Sequence, residues 1–503
     1  MNANTALIWL IALPLAAAPL IYLVGRLSLR ASNNRRSPVV AWLGVLTLIA
    51  CGYPLYFAGQ AVLAGAPVEL AVNAIHLRMD GIGLLLAVVV LLLGAMVMLF
   101  STAYMAGDRG EEKYYALLTA MIGSMIGLGC AADLFNLWVW FEAMAITSYM
   151  LVAFYTTHPA SLEAGFKYLV QSATGSVFVL LGIVLVFSQT GALDLLEIRN
   201  AAHSPDPVLL LAGAAFLIGF GVKSALVPMH TWLPDAHSQA PSGISAMLSG
   251  VVIEAGLVAL LRALGSLSSV ASAWGGLLLS FGAVNMIVGN LMALRQTQVK
   301  RLLAYSSLSH MGYMLVGLGA AMAFKVANGA AGGFFHLFTH ALMKGLAFLS
   351  AGALLYTLHI ARGDHDPLTL DDLNGASKRY PLTAFALSIA VLALGGLPPL
   401  AGFMSKWQIF VAGAQTQNLW IILLVIFAAL NSVLSLGYYA PLVNRMYRKT
   451  PSATVENGKP TPKIMAVPII LLTLGVVIFG FAPAWINWLT APAAASLLAV
   501  FGG

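Results

Sequence analysis

The segment that decides the fold is GVKSALVPMHTWLPDAHSQAP, residues 221–241, which lies between two long apolar runs. It places Lys223 shortly before Pro228, at a point where the flanking sequence is apolar enough to lie in lipid. Proline has no backbone N–H and cannot continue the hydrogen-bonded ladder of a helix. Irregular backbone survives at membrane depth only where it is buried in protein or lines a wet cavity. The segment therefore predicts a broken membrane helix with a polar site at the break.

The composition is that of a polytopic membrane protein. Of the 503 residues, 60% are apolar and only 9% are charged, and the mean hydropathy is +0.90. Apolar runs of about 20 residues are long enough to cross a bilayer as helices. We therefore predict an all-α polytopic membrane protein with about fourteen transmembrane helices, at residues 5–25, 39–60, 81–104, 114–132, 134–155, 166–190, 207–236, 242–262, 271–294, 302–322, 329–357, 381–411, 419–441 and 464–488.

The basic residues are distributed unevenly between the two ends of these helices. With the N-terminus outside, eighteen of the 25 lysines and arginines lie at cytoplasmic ends. Only four lie at the opposite ends: Arg78, Arg199, Arg262 and Lys325. Because cytoplasmic loops carry the excess of Lys and Arg, we predict a multi-pass protein of the cell inner (plasma) membrane with both termini on the outer side. The net charge of +7 follows from this topology and does not indicate nucleic-acid binding.

Five ionisable side chains lie inside predicted helices, far from the helix ends: Glu142, Lys223, Glu254, Lys344 and Lys406. A charged side chain at the centre of a bilayer costs about 2.5–3.5 kcal/mol on insertion scales, so each such residue is a candidate for function. The alternative is that these residues form interhelical salt bridges that only hold the bundle together. Their spread over five different helices favours the functional interpretation.

A second break is predicted in GGLPPLAGFMSKWQIF, residues 395–410, which carries Lys406. Its glycines and paired prolines interrupt the predicted twelfth helix, as Pro228 interrupts the seventh. The two broken helices lie five positions apart in the helix order, and each carries a lysine. This arrangement indicates a repeated membrane unit with a polar site at each break.

The segment HLFTHALMK places His336, His340 and Lys344 four residues apart, and therefore on one face of a helix. A neutral imidazole accepts a proton on one nitrogen while it releases one from the other, so this stripe suits a proton relay. The alternative is a set of buried histidines that only form hydrogen bonds to neighbouring helices.

Two further histidines, His230 and His237, lie around the first break. They are candidates for connecting a relay to one membrane surface. The alternative is that His237 and Asp235 cap the helix that begins near Pro241.

Nothing in the sequence points to a bound cofactor or metal. Cys51 and Cys130 both fall in apolar runs, and no C-x-x-C pair occurs. No glycine-rich nucleotide loop follows a strand. We therefore predict neither a cofactor nor a metal site.

Five motifs carry a resemblance to a known family, in that family's order and across roughly residues 80–445: DLFNLWVWFEAMAITSYML, KSALVPMHTWLPDAHSQAPSGISAMLSG, VKRLLAYSSLSHMGYML, HALMKGLAFLSAG and GGLPPLAGFMSKWQ. The chain resembles the antiporter-like subunits of the complex I superfamily. That superfamily includes proton-pumping subunits of respiratory complex I, related subunits of membrane-bound hydrogenases, and large subunits of Mrp-type sodium/proton antiporters.

The resemblance implies a division of the chain into four parts. In this family, helices 4–8 and 9–13 form two inverted five-helix repeats, with breaks in helices 7 and 12. The expected parts are helices 1–3 in residues 1–113, the first repeat in 114–262, the second in 271–441 and helix 14 in 464–503.

The resemblance also implies roles for the buried ionisable residues. Glu142 and Lys223 match the pair thought to switch proton affinity, so we expect a direct or water-bridged contact between them. Lys344 matches a central-axis lysine, and Lys406 matches the residue facing the exit. Glu254 departs from the family, which has lysine or histidine at that position. We expect its carboxyl group either to act as a neutral relay or to pair, ionised, with Lys344 or Lys223.

Three functions remain open at this point. The first is a proton-translocating subunit of a multi-subunit redox or antiport complex, which binds no redox cofactor itself. Its partners would be other membrane subunits, including related antiporter-like subunits, together with the lipid bilayer and protons; transport of Na⁺ is left open. The second is a self-sufficient Na⁺/H⁺ secondary carrier. The third is a structural membrane scaffold with a degenerate channel.

Overall fold

The computed structural model describes residues 1–32, 37–72, 75–202, 206–270, 273–363, 366–448 and 450–501. Residues 271 and 272, where the ninth helix and the second repeat are predicted to begin, lie outside these ranges. The same applies to residues 502 and 503, and to three of the basic residues counted as cytoplasmic, Arg35, Arg36 and Lys449.

The described chain is almost entirely helical. Its elements, in chain order, are α1 Ala3–Ser32, α2 Pro38–Leu63, β1 Val68–Val72, β2 Ile75–Met79, α3 Gly81–Tyr104, α4 Glu111–Cys130, α5 Leu134–Val152, α6 Pro159–Thr190, α7 Leu195–Ala201, α8 Pro207–Lys223, α9 Trp232–Gln239, α10 Ser242–Ser266, α11 Trp274–Ala293, α12 Val299–Phe324, α13 Ala327–Leu358, α14 Pro381–Gly395, α15 Ala401–Gln415, α16 Leu419–Arg448, α17 Ala453–Glu456, α18 Lys463–Phe481 and α19 Asn487–Phe501. Twelve helices in the described ranges are long and apolar enough to span a membrane, which confirms the polytopic helical fold. The count of fourteen spans and the inverted repeats remain predictions.

Both predicted breaks are present. The predicted seventh helix is divided into α8, which ends at Lys223, and α9, which begins at Trp232. The predicted twelfth helix is divided into α14, which ends at Gly395, and α15, which begins at Ala401. Each break therefore leaves the carbonyl groups of a half-helix without intrahelical partners inside the bundle.

The C-terminal region differs from the prediction of one helix over 464–488. Helix α18 ends at Phe481, because Ala482 leaves the helical conformation (φ −127°, ψ 63°) and Pro483 follows it. The next helix, α19, meets the start of α3, where the Gly81 N–H donates to Ser496 Oγ at 3.1 Å. It also accepts a hydrogen bond from Arg199 of α7. Although residues 483–501 meet the length and composition of a span, these contacts show that α19 lies across the ends of other helices.

A β-hairpin, which the sequence analysis missed, joins α2 to α3. Strand β1 pairs antiparallel with β2, with Val68 opposite Met79. His76 fixes the hairpin to two helix starts. Its backbone N–H donates to Asp133, the N-cap of α5, at 3.1 Å, and its Nδ1 lies 2.9 Å from Asp194, the N-cap of α7. The hairpin is thus attached to the helix that carries Glu142.

This attachment should weaken as the pH rises. The hydrogen bond to Asp194 raises the pKa of His76 above its ordinary value of 6.5. A raised pKa in the folded state means that the stabilisation is complete below about pH 6.5 and is lost as the pH passes through the higher, folded-state value. Amide hydrogen exchange in β2, corrected for intrinsic rates, should therefore accelerate between mildly acidic and alkaline pH. His76→Gln should remove this pH dependence; a wild-type rate that does not change with pH would contradict the prediction.

The centre of the bundle consists of α10, α12 and α13, which are buried along nearly their whole length. The outer helices instead expose large apolar side chains such as Trp9, Ile49 and Trp420, as expected for a surface in contact with lipid. The polar side chains face inward: Lys223, Glu254 and Lys344 are fully buried, and Lys406 is 2% exposed.

Candidate functional site

Lys223 is the last residue of α8, at the first helix break. An ammonium group has three N–H donors. Those of Lys223 face three hydroxyl oxygens, those of Tyr168 at 2.8 Å, Ser172 at 3.2 Å and Ser148 at 3.5 Å. The Nζ atom also lies 4.5 Å from the centre of the Tyr168 ring, close enough for a cation–π interaction. The Lys223 ammonium is thus held by side chains of α5 and α6, and no backbone carbonyl in the described part of the chain accepts from it.

The backbone at the first break is closed by two side chains that the sequence analysis did not identify. Asn285 of α11 accepts a hydrogen bond from the Val227 N–H at 2.9 Å and donates to the Ala225 carbonyl at 3.1 Å. The indole of Trp232 donates to the Val222 carbonyl at 2.8 Å. Groups freed by the interruption are therefore satisfied inside the protein, as the membrane requires.

Asn285→Leu should destabilise the protein by about 2–4 kcal/mol, because it leaves a buried N–H and a buried carbonyl without partners. Asn285→Asp keeps the acceptor for Val227, but it loses the amide donor to the Ala225 carbonyl and buries a carboxyl group, so it should destabilise the protein as well. Thermal unfolding of the purified variants in detergent measures both effects. Equal melting temperatures for wild type and Asn285→Leu would show that the side chain does not support the break.

Of the direct or water-bridged contact expected between Glu142 and Lys223, the direct form is absent, and the water-bridged form stays a prediction. No ion pair within 4 Å joins the two described residues, and Glu142 Oε1 is buried without a hydrogen-bond partner. The physical reason is that the three donors of Lys223 already face hydroxyl groups.

Glu254 contacts a histidine of the predicted stripe. Its Oε1 lies 2.8 Å from His340 Nδ1, and both side chains are fully buried. Among the described residues no ion pair joins Glu254 to Lys344 or Lys223, so of the two alternatives the ionised pair with a lysine is not seen, and the neutral relay stays a prediction. A π-helical turn at residues 248–252 immediately precedes Glu254, and such turns are frequent at functional sites.

The second oxygen of Glu254 and His340 Nε2 have no hydrogen-bond partner among the described residues. Each group is therefore able to accept or release a proton on its second side. Two residues further along the chain, a Cβ on Gly256 would lie 3.0 Å from Lys223 Cβ. The absence of a side chain at Gly256 lets α10 pack closely against Lys223.

His340 belongs to a cluster of three imidazoles. His310 Nδ1 lies 3.0 Å from His336 Nε2, and the ring centres of His310 and His340 are 5.3 Å apart. On its other side, His336 Nδ1 lies 2.8 Å from the hydroxyl of Ser405. The sequence analysis missed His310, although it lies in the motif VKRLLAYSSLSHMGYML, because a single histidine on an apolar helix has no spacing signal of its own.

Lys406 follows Ser405 in the chain and lies at the second break. Its Nζ donates to the Leu394 carbonyl at the end of α14 and to Ser432 Oγ, both at 2.8 Å. It also lies 4.6 Å from the centre of the Tyr313 ring. A carbonyl freed by the break therefore holds this ammonium, as predicted, whereas Lys223 is held by hydroxyl groups.

Lys344 points away from Glu254, although it shares a helix with His336 and His340. Its Nζ donates to the Leu303 carbonyl at 2.8 Å and to Ser306 Oγ at 2.5 Å, both on α12. The predicted stripe is therefore split: His336 and His340 belong to the imidazole cluster, whereas Lys344 contacts the first part of α12.

The two histidines near the first break have different surroundings. His237 is fully buried, stacks on Phe348 at 4.8 Å between ring centres, and neither of its nitrogens has a hydrogen-bond partner among the described residues. It therefore does not cap the following helix. His230 is half-buried, and its Nδ1 also lacks a partner in the described part of the chain.

Asp235 does not act as a cap either, because it forms ion pairs with Arg301 at 2.5 Å and Lys167 at 3.1 Å. These pairs join α9 to α12 and α6. A buried lysine that the sequence analysis counted as cytoplasmic, Lys300, donates to the Ala240 carbonyl at 2.5 Å. Buried basic groups therefore extend from the centre of the bundle towards the end of the bundle where α9 lies, which is called the α9 end below.

The chain is similar to known proteins along most of its length. A family profile described as "NADH:quinone oxidoreductase/Mrp antiporter, TM" matches residues 131–432. Another, described as "NADH-Ubiquinone oxidoreductase (complex I), chain 5 N-terminus", matches residues 70–115. The F(420)H(2) dehydrogenase subunit N of Methanosarcina mazei is 33% identical over 479 residues, which cover 94% of each chain.

Solved structures agree with the sequence matches. A chain of the membrane-bound sulfane sulfur reductase, an archaeal respiratory membrane complex, superimposes with a TM-score of 0.86 at 28% identity, covering 98% of this chain and 99% of that chain. A chain of respiratory complex I from Thermus thermophilus superimposes with a TM-score of 0.76 at 26% identity, covering 96% and 99%. The motifs, the broken helices and these matches together show that the chain belongs to the NADH:quinone oxidoreductase/Mrp antiporter family of antiporter-like membrane subunits.

Proposed function

We propose that this chain moves protons across the membrane as one subunit of a multi-subunit complex. The observation that carries the proposal is the row of buried titratable groups at the centre of the bundle. It begins at Glu254 and His340, continues through His310 and His336, and ends beside Lys406. Buried ionisable residues are costly in a membrane and typically mark proton or ion pathways.

The spacing of these groups suits proton exchange between neighbours. Glu254 and His340 are in hydrogen-bond contact, so a proton can pass between the carboxyl group and the imidazole. A ring rotation of His340 brings it towards His310, which shares a hydrogen bond with His336. His336 in turn contacts the hydroxyl of Ser405, the residue directly before Lys406. Glu254 acts in this scheme as a relay that alternates between its neutral and ionised forms.

In this proposal Lys223 gains and loses a proton at the first break, and Glu142 acts on it by charge. The Cβ of Lys223 packs beside Gly256 of α10, two residues after Glu254, so the first break and the start of the row lie on neighbouring helices. When one group binds a proton, the proton affinity of the next group changes. Proton entry at the first break is thereby coupled to proton transfer along the histidines. Lys344, His230 and His237 are proposed to connect this row to the α9 end.

The proposed partners are other membrane subunits, including related antiporter-like subunits, and the proposed cargo is the proton. The test uses inverted membrane vesicles that contain the complete complex, with a pH-sensitive dye inside. We expect the proton gradient to depend on this chain, and the purified chain alone in liposomes to exchange no Na⁺ for H⁺. If the complex still builds a proton gradient when this chain transfers no protons, the chain is a structural scaffold. If the isolated chain exchanges Na⁺ for H⁺, it is a self-sufficient carrier.

We also propose that both termini face the outer side of the inner membrane. A single cysteine at Ala66, an exposed residue before the hairpin, should then react with an impermeant thiol reagent in intact cells. A cysteine at Ala453, exposed in the loop before α18, should react only after the membrane is opened. The native Cys51 and Cys130 are buried and provide the background control. Labelling of Ala453→Cys in intact cells would reverse the orientation.

A further inference from the structure

A cavity of about 490 Å³ lies outside the row of titratable groups, between the β-hairpin and α19. Its walls are formed by the hairpin, the start of α3, the end of α10, α7 and α19. A cavity of this size lies within the usual range for small-molecule sites. Because several of these walls are helix ends, the cavity lies where the bundle meets the membrane surface.

Most of the cavity wall is apolar. Leucines from four different elements line it, together with the last described residue of α19: Leu70, Leu77, Leu261, Leu497 and Phe501. An apolar wall of this kind binds hydrocarbon and does not by itself retain a free ion. The ligand should therefore have an apolar part.

The rim of the cavity carries two guanidinium groups with incomplete partners. Arg199 donates one hydrogen bond to the Ala499 carbonyl at 3.3 Å and has no carboxylate within 4 Å among the described residues. Arg78 meets Glu69 at 3.4 Å, but both side chains are substantially exposed, and exposed ion pairs contribute little. Both arginines therefore retain donors for a further acceptor.

The other charged groups of the lining are already paired. Arg262 forms a bidentate ion pair with Asp80, at 2.9 and 3.2 Å, and donates to the Gly129 carbonyl at 2.5 Å. Asp194 pairs with His76. Glu69 lines the cavity beside Arg78 and offsets its charge, so Arg199 is the cation of the lining without a carboxylate partner among the described residues, and it complements an anionic oxygen group.

We infer that this cavity binds a phospholipid, with its phosphate at Arg199 and Arg78 and part of an acyl chain against the leucines. The position at the membrane surface, the apolar wall and the cationic rim match the three parts of such a molecule. The volume accommodates a head group and part of one chain, and the remainder of the lipid stays in the bilayer. This site is independent of the proposed proton pathway.

The test places the full-length chain in nanodiscs of phosphatidylethanolamine and phosphatidylglycerol that contain a photoactivatable phospholipid. We expect cross-links in the hairpin and in α19. Ala495 is exposed in α19 and lines the cavity, so Ala495→Trp should fill it and lower these cross-links about tenfold. The matched control is Ala491→Trp, which is exposed on the same helix outside the cavity lining and should leave the cross-links unchanged. Arg199→Gln should weaken labelling as well.

Three results would overturn the inference. Equal labelling of wild type and Ala495→Trp would show that lipid does not enter the cavity. Displacement of the label by millimolar inorganic phosphate would identify a free-anion site. Cross-links between two copies of the chain at the same peptides, in place of lipid adducts, would identify a protein interface.

Discussion

Glu254→Gln should reduce proton transfer by the complex at least about 100-fold, the contribution typical of a positioned acid or base, while the chain folds normally. The amide oxygen of glutamine still accepts a hydrogen bond from His340, so the contact at this fully buried pair is preserved. An amide cannot release a proton at working pH, so only the relay is lost. Dye-detected proton uptake in inverted vesicles measures transfer, and the melting temperature in detergent measures the fold.

The matched control is Glu163→Gln, which removes a carboxylate from an exposed i,i+4 pair with Lys167 and should leave transfer unchanged. Glu254→Lys provides a second comparison, because it restores the residue type that the family more often has at this position. Normal assembly with unchanged proton transfer in both Glu254 variants would mean that this carboxyl group carries no protons.

Lys223→Met should also reduce proton transfer at least about 100-fold, because it removes the titratable ammonium and keeps a side chain of nearly the same length. Loss of the ammonium leaves Ser148 with its remaining bonds to the Ala145 carbonyl and to Tyr168. The cost in stability should therefore be about 1–2 kcal/mol. The matched control is Lys167→Met on α6, whose ammonium pairs with Glu163 and Asp235 at the surface.

Lys223→Arg separates charge from proton exchange, since arginine keeps the positive charge and does not release it at physiological pH. If Lys223 acts by gaining and losing a proton, Lys223→Arg should be as inactive as Lys223→Met. Activity close to wild type in Lys223→Arg would show that a fixed charge is sufficient, and activity in both variants would remove Lys223 from the mechanism.

The fold could be predicted from the sequence wherever the signal was local. Apolar runs located the long helices, and the prolines and glycines near Lys223 and Lys406 located both breaks. The cost of charge in lipid identified the buried ionisable residues. The end of α18 was misplaced because the apolar run continues past Pro483, and α19 turns aside only through contacts with distant helices.

The partners of the site residues could not be predicted, because they are set by packing between helices far apart in sequence. Which member of the His336–His340–Lys344 stripe contacts Glu254 is decided by packing, and so are the hydroxyl groups that bind Lys223. Tyr168 and Ser172 look like ordinary residues of an apolar helix until α6 packs against α8. His310 and Asn285 were overlooked for the same reason: each is a single polar residue whose role appears only when its neighbour is known.

The unequal surroundings of the two lysines at the breaks affect how such a protein can be tuned. Lys406 is bound by the Leu394 carbonyl, which no side-chain substitution at that position removes, and by a single encoded hydroxyl, that of Ser432. Lys223 rests on Ser148, Tyr168 and Ser172, and each hydroxyl is encoded separately. Each deletion changes the stability of the ammonium by about 0.5–1.5 kcal/mol, a factor of roughly 2–10 in proton affinity. Single substitutions of these three hydroxyl residues therefore change the proton affinity of Lys223 in small steps, which can fit it to the working pH. For Lys406, few single substitutions have such an effect.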